Sequence, residues 1–499
     1  MTSPTPVAAG GADPRRWRAL AVLLTASLVD VIDVTIVNIT MPTIRKDIDA
    51  SYSALQWVSA GYALAFAVGL ITGGRLGDIY GRKRVFLIGI GGFTVASTLC
   101  GVAGDPGLLI AARVLQGACA ALMVPQVLST IHVTFPMEER GKVFGLFGSV
   151  IGMGAVLGPL VGAVLTQGDV FGLSWRAVFL LNLPIGLAGL VFGMRLIGES
   201  KAPQALRLDP VGIVLASAGL LMLLVPLTRG RELGWPAWSF ALMAGSFVVF
   251  AGFVLYERVK SRRDGSPLVE LSLFRVRSFA AGIGIQLAVS MVCGIFLMVW
   301  TLHLQLGLGY SPLKTGLTGT PNAIATSVAA VLAMQKLAPH GRKVLQAGAL
   351  IMAAGAALFA LEARHYGSGI GPWAMVLPLA VMGAGTGLII TPLTGSVLSQ
   401  VPFQHAGSAS GLINTTNQLG IALGLGLSSV TFFDVLDGAG AGVSPATAFN
   451  DAFVNSLWWV VGGLGVAFLL MLALPRLPQP PVGMMPAAEA EEGEAPVTA

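Results

Sequence analysis

Long apolar runs, separated by short polar or glycine-containing stretches, follow one another from about residue 19 to residue 474. A helix that spans a bilayer needs about 20 mostly apolar residues. Fourteen runs meet that length, at 19–40, 55–74, 85–104, 108–134, 143–165, 177–198, 210–228, 237–257, 278–303, 318–335, 344–362, 373–398, 410–433 and 456–474. Backbone amides and carbonyls in lipid must be satisfied within the segment, so runs of this length predict helices. The expected fold is all-α and integral to a membrane.

Composition agrees. The chain of 499 residues is 55% hydrophobic and 11% charged, with mean hydropathy +0.79. A soluble domain carries about 25% charged residues. An even number of crossings puts both termini on one side, and basic residues identify that side. With the N-terminus cytoplasmic, 21 of the 30 Lys and Arg residues fall inside and 7 outside, and Arg113 and Arg195 lie within spans. Cytoplasmic loops carry such an excess. The net charge of +6 and pI near 9.4 therefore read as membrane topology and give no reason to expect nucleic acid. Cys100, Cys119 and Cys293 are far apart inside apolar runs, a pattern of neither a disulfide framework nor a metal site. Arg15, Arg16 and Arg18 precede the first run with no small-residue cleavage site after it, so that run reads as a retained signal anchor.

One internal repeat is visible. Gly81-Arg82-Lys83-Arg84 precedes the third run, and Gly341-Arg342-Lys343 precedes the eleventh. Runs 1–6 then correspond to runs 9–14, and two parallel six-helix halves follow, a known transporter plan. The expected division is a disordered tail at 1–14, a first half at 15–200, a two-helix insert at 201–262, a second half at 263–475, and a disordered acidic tail at 476–499.

Charge within a span is costly and by default functional. Asp30 and Asp33 lie in run 1, three residues apart and thus on one helix face; Arg113 lies in run 4. A carboxylate in a dry cavity holds a proton more tightly, and a nearby guanidinium favours its ionised form. Motion of one against the other would load and release a proton. A static Asp–Arg tie between two helices is the other reading. Asp78 stands among Gly74, Gly77 and Gly81, followed by Arg82. The glycines permit a tight loop, and Asp78 can accept from helix N-terminal amides or from a neighbouring Arg. Run 5 carries Gly145, Gly148, Gly152, Gly154, Gly158 and Gly162, with Pro159 to bend it. That pattern suits a gate, or ordinary small-residue packing. No HExxH, GxSxG or P-loop pattern occurs, so neither an enzyme nor an ATP-driven pump is expected.

Together these residues resemble the major facilitator superfamily, specifically its fourteen-span drug:proton antiporters. Ile32-Asp33-Val34-Thr35-Ile36-Val37-Asn38-Ile39-Thr40-Met41-Pro42 is similar to the family's first-span signature. Gly74 to Arg84 is similar to its loop between spans 2 and 3, and Arg113-Val114-Leu115-Gln116-Gly117 to its span-4 motif. Gly145, Gly154, Gly158-Pro159 and Gly162 resemble the span-5 antiporter motif, with Ala163 where the family has a final Gly. Trp175-Arg176-Ala177-Val178-Phe179-Leu180-Leu181-Asn182-Leu183-Pro184-Ile185-Gly186 resembles the entry to span 6, with Ala177 where the family has a second Trp.

The resemblance implies proton-coupled export of amphipathic drugs or antibiotics across the bacterial cytoplasmic membrane by a monomer. The proton gradient supplies the energy, with no cofactor or metal. Asp33 would carry the proton, Arg113 would modulate it and Asp30 would support it. Gly74, Asp78, Gly81, Arg82, Gly154, Gly158, Pro159 and Gly162 would form the conformational gate. Candidate cavity residues are Asn38, Gln56, Trp57, Tyr62, Gln116, Asn322, Asn414, Asn417 and Gln418; core packing suits Gln56, Trp57 and Tyr62 equally. Span 10 carries Asn322 and no carboxylate, which argues against dicationic substrates. A narrow exporter of one endogenous metabolite, an uptake symporter, and a membrane receptor or scaffold without transport are the alternatives.

Overall fold

The computed structural model describes residues 15–474, apart from 169–171, 202–207, 231–232, 264–266, 338–339, 400, 403–404 and 439–443. Both expected tails lie outside the described residues. Helices dominate, and no strand occurs among the described residues. The first half holds α1 (Arg16–Asp47), α2 (Tyr52–Tyr80), α3 (Arg82–Gly101), α4 (Pro106–Thr134), α5 (Met137–Gln167) and α6 (Arg176–Leu196, broken at Leu181). The insert is α7 (Pro210–Arg229) and α8 (Ala237–Arg263). The second half holds α9 (Arg277–Leu302), α10 (Leu313–Gln335, broken at Gly319), α11 (Arg342–Tyr366), α12 (Pro372–Ser399), α13 (Ala406–Ser428) and α14 (Pro445–Met471). Among the described residues, thirteen helices are long and apolar enough to cross a membrane. The 31-residue α5 is the fourteenth long helix, in place of the apolar run at 143–165.

Local chemistry sets several starts. Asp105, Asp209, Ser311 and Ser444 each accept a hydrogen bond from an amide three residues on, and each is followed by proline. An oxygen-bearing cap satisfies an orphan amide, and proline at the first helical position has none to lose. Helix ends therefore differ from hydropathy boundaries. α14 begins at Pro445, well before its apolar run at 456, and α2 continues to Tyr80.

The helix pairings repeat. In the first half α1 packs on α5 and α6, α4 on α2 and α3, and α3 on α6. Shifted by eight helices, the same five pairings recur: α9 on α13 and α14, α12 on α10 and α11, and α11 on α14. The halves meet along two seams, α2 with α13 and α5 with α10. These seams exchange under the same shift. The α7–α8 hairpin lies outside, with α7 against α2 and α13. Leu220 and Leu224 of α7 are buried in a cluster with Leu64 and Ala67 of α2 and Ala422 of α13.

Candidate functional site

Asp33, at mid-span in α1, is 1% exposed. Its Oδ2 accepts from Arg113 Nη1 of α4 at 2.5 Å. Its Oδ1 accepts from Gln116 Nε2 at 2.9 Å and from Asn182 Nδ2 of α6 at 3.0 Å. Arg113 also donates to the Val58 carbonyl of α2 at 3.1 Å and to Gln116 Oε1 at 2.7 Å. Its guanidinium lies 4.2 Å from the Tyr62 ring centre and 5.9 Å from that of Phe179. Tyr62 in turn donates its hydroxyl to Asp30 Oδ1 at 2.6 Å. Asn182 is held by Ser97 of α3, 2.9 Å away. Side chains from α1, α2, α3, α4 and α6 thus converge on one ion pair. Burying two charges is tolerable only when the remaining donors and acceptors are paired, and this network pairs them.

Arg113 has partners besides Asp33. These are Val58 O, Gln116 Oε1 and two aromatic faces, and a desolvated cation–π contact is worth about 2 kcal/mol. Below Asn182, a largely apolar cavity of about 380 Å³ opens between α1, α3 and α6, rimmed by Arg18, Thr25 and Phe192.

The glycines of α5 divide between two neighbours. A Cβ on Gly154 would lie 2.9 Å from Val31, one on Gly158 1.9 Å from Thr35 Oγ1, and one on Gly162 2.7 Å from Ile36. These three seat α1 around Asp33. A Cβ on Gly145 would lie 3.2 Å from Val331, and one on Gly152 2.7 Å from Ser327. This second set seats α10 of the other half. Glycine permits such approach because it has no side chain. The Pro159 side chain lies outside the described residues, as do those of Asn38 and Gln56.

The gate residues are joined across the halves. Asp78 Oδ1 accepts from Arg82 Nη2 at 2.7 Å and from the amide of Gly407 at 3.0 Å; Oδ2 accepts from the amide of Ser408 at 3.0 Å. Those amides belong to the first turn of α13, so α2 caps a helix 329 positions away in sequence. An acid there satisfies orphan donors and meets the positive end of the helix dipole. Gly74 makes the approach possible, since its Cβ would lie 2.1 Å from the Gly407 carbonyl oxygen. The expected glycine-rich loop is mostly helix. The turn is Gly81 alone, at φ 108°, a conformation that excludes most side chains. Ser129 and Ser410 hydroxyls, 3.2 Å apart, add a contact between α4 and α13.

The remaining candidates scatter. Tyr62, for which cavity lining and core packing suited the sequence equally, and Gln116, a cavity candidate, are 2% and 0% exposed and belong to the carboxylate network. Trp57 packs half-buried against the α2–α7 cluster. Asn322 donates to the Leu379 carbonyl of α12 at 3.1 Å, and Asn414 to the Ser410 carbonyl at 2.9 Å. Asn417 and Gln418 are half-buried on α13. Asn182 was not singled out from sequence, although an amide side chain in the middle of an apolar run is itself a signal.

A model of the Major Facilitator Superfamily matches residues 23–425. The chain is 46% identical over 424 residues to a probable actinorhodin transporter of Streptomyces coelicolor, covering 85% of this chain and 73% of that protein. It is 36% identical over 478 residues to a puromycin resistance protein of Streptomyces alboniger, covering 93% and 91%. It is also 36% identical over 453 residues to a cephamycin export protein of Amycolatopsis lactamdurans, covering 88% and 89%. Among solved structures, a human organic anion transporter superposes with TM-score 0.65 at 14% identity, covering 92% of this chain and 99% of that one. A proton:xylose symporter superposes with TM-score 0.65 at 17% identity, covering 91% and 95%. Two halves of six helices paired alike, a family model matched through most of the chain and these transporter relatives lead to one assignment: the chain belongs to the Major Facilitator Superfamily, in its drug-efflux branch.

Proposed function

We propose that this protein exports amphipathic, antibiotic-like molecules from the bacterial cytoplasm in exchange for protons, by alternating access. The observation that carries the reading is the buried Asp33–Arg113 pair. Arg113 has further partners in Val58 O, Gln116 Oε1 and the rings of Tyr62 and Phe179, which supports a pair that parts and re-forms during the cycle. Asp33 is the proton carrier, Arg113 is its ion-pair partner and modulator, and Asp30 with Tyr62 steadies the aromatic ring under the guanidinium. Asp78, Arg82 and the first turn of α13 close one face of the molecule. The basic-residue bias supports a cytoplasmic position for that face and for both termini. The protein acts as a monomer and draws its energy from the proton gradient.

A second reading has its own support. Several relatives are named for a single compound, such as actinorhodin, cephamycin or tetracenomycin C. A narrow exporter of one self-made metabolite would look the same at the Asp33 site.

Purified protein in liposomes with an imposed pH gradient tests the first reading. Puromycin, ethidium, a tetracycline and a fluoroquinolone are added in turn while lumenal pH is followed. Substrate-triggered proton movement in wild type, absent in Asp33→Asn, is expected. Substrate flux that proceeds equally well in Asp33→Asn would remove proton coupling at this site. Flux restricted to one chemical class would favour the narrow exporter.

A further inference from the structure

Hydropathy leaves the ends of the inserted hairpin as ordinary polar boundaries, yet two carboxyl groups meet there out of water. Asp209, the cap of α7, and Glu257, near the end of α8, are both 0% exposed. Asp209 Oδ1 accepts from the Gly212 amide at 3.0 Å and from the Tyr256 hydroxyl at 2.9 Å. Glu257 Oε2 accepts from the Val269 amide at 3.2 Å. The other two oxygens, Asp209 Oδ2 and Glu257 Oε1, are buried with no N–H or O–H donor from elsewhere among the described residues. They converge, because a Cβ on Gly212 would lie 2.6 Å from the first and 2.5 Å from the second. Both oxygens lie within 2.6 Å of that one point, so no more than about 5.1 Å separates them. A carboxyl–carboxyl hydrogen bond requires one proton, since an ionised carboxylate only accepts. Ile71, Ala216, Phe253, Leu268 and Val269 surround the place with apolar surface.

A second observation points the same way. Arg75 of α2 is 1% exposed, and its Nε and Nη2 have no hydrogen-bond partner among the described residues. Its charge is felt by Asp78, Glu257, Glu270 and Asp209. Hydropathy assigns Arg75 to a cytoplasmic loop; the structure buries it between the gate acid and the hairpin pair. Among the described residues, the other charged or titratable groups facing this place are Tyr256 and Lys260 on α8, Glu270 ahead of the short turn Leu271–Arg275, and His405 just before α13.

We propose that Asp209 and Glu257 form a second proton-binding site, holding one proton between Asp209 Oδ2 and Glu257 Oε1, through which the inserted hairpin reports pH to the gate. When the proton leaves, the pair changes from one negative charge to two, opposite Arg75. Two carboxylates in contact repel, and Arg75 is drawn towards them and away from Asp78. The hairpin thereby acts on the residue that caps α13. The site uses no residue of the Asp33 network and stands whatever the exported molecule is.

Infrared spectroscopy of the full chain in lipid nanodiscs, titrated with pH, tests this directly. Protonated carboxyl groups give a carbonyl band that ionised ones lack. One protonated carboxyl per chain should disappear in Asp209→Asn and, separately, in Glu257→Gln, since either amide donates to the remaining carboxylate in place of the proton. The two near-isosteric variants guard against a failure of one to fold. Bands from Asp30 or Asp33 are identified by Asp30→Asn and Asp33→Asn, so loss of the coupling reading would leave this result intact. An unchanged carbonyl band in both hairpin variants overturns the proposal. Arg75→Met should move the midpoint of the hairpin band to higher pH by about one unit, a tenfold gain in proton affinity. An unmoved midpoint overturns the link to the gate.

Discussion

Replacing Asp78 by Asn isolates what the cross-half cap contributes. The Asp78–Arg82 pair joins residues four apart within one half, so its geometry does not itself require the seam. Only the hydrogen bonds from the Gly407 and Ser408 amides depend on the seam being closed. Hydrogen bonds to a charged group contribute roughly 1.5–3 kcal/mol each. Asn retains one neutral acceptor, so the closed seam should lose about 2–3 kcal/mol, or roughly 30- to 150-fold in the closed-to-open ratio. Ser410 reports on that ratio, being 0% exposed and covered by the seam. In a Ser410→Cys background, a membrane-impermeant maleimide applied to this face should label Asp78→Asn faster by that factor. Asp105→Asn is the control, because Asp105 caps α4 within one half. Labelling of Asp78→Asn within threefold of its parent would refute the idea that this cap holds the seam shut.

Two further outcomes are expected. Gly158→Ala places a methyl group 1.9 Å from Thr35 Oγ1, and overpacking of this kind costs about 1–3 kcal/mol. It should lower the melting temperature in detergent and abolish export, with partial recovery in Gly158→Ala/Thr35→Ala; no recovery would mean that the collision is with the α1 backbone. At the opposite end of α1, Asp47 accepts from Arg176 at 2.5 Å and from Trp175 at 3.1 Å, which hold its carboxyl below the usual carboxylate range. That contribution is present above the unfolded-state value and is lost as pH falls through the lowered one. Asp47→Asn should therefore flatten the acid limb of thermal stability and leave the neutral plateau lower; an unchanged acid limb would dismiss the tie.

The long helices were legible, thirteen of them apolar enough to cross a membrane among the described residues, because lipid imposes one simple demand on length and polarity. Asp33 and Arg113 were legible for the same reason, as charges where charge is costly. Asp78 was legible as an acid able to cap a helix, but its partner was not. Nothing local to Gly74–Arg84 names the amides of Gly407 and Ser408 in another half. Tyr62 stayed open between cavity wall and core packing because sequence does not say which way a ring points. Asp209, Glu257 and Arg75 were passed over for a different reason. They sit at the ends of apolar runs, where hydropathy counts a charge as solvated, and only the packing of α7, α8 and α2 shows that they are dry.

The eight-helix shift in the pairings bears on how the chain is made. Each half closes its five pairings among six successive helices, so the first half can be complete before the second is synthesised. The two helices of the hairpin also pair with each other. The amides of Gly407 and Ser408, by contrast, wait for a cap supplied by a helix inserted long before. Biogenesis then has a late checkpoint: α13 docking on α2 certifies that both halves have folded, and a chain truncated ahead of α13 leaves Asp78 and Arg82 without the cover that the finished seam provides.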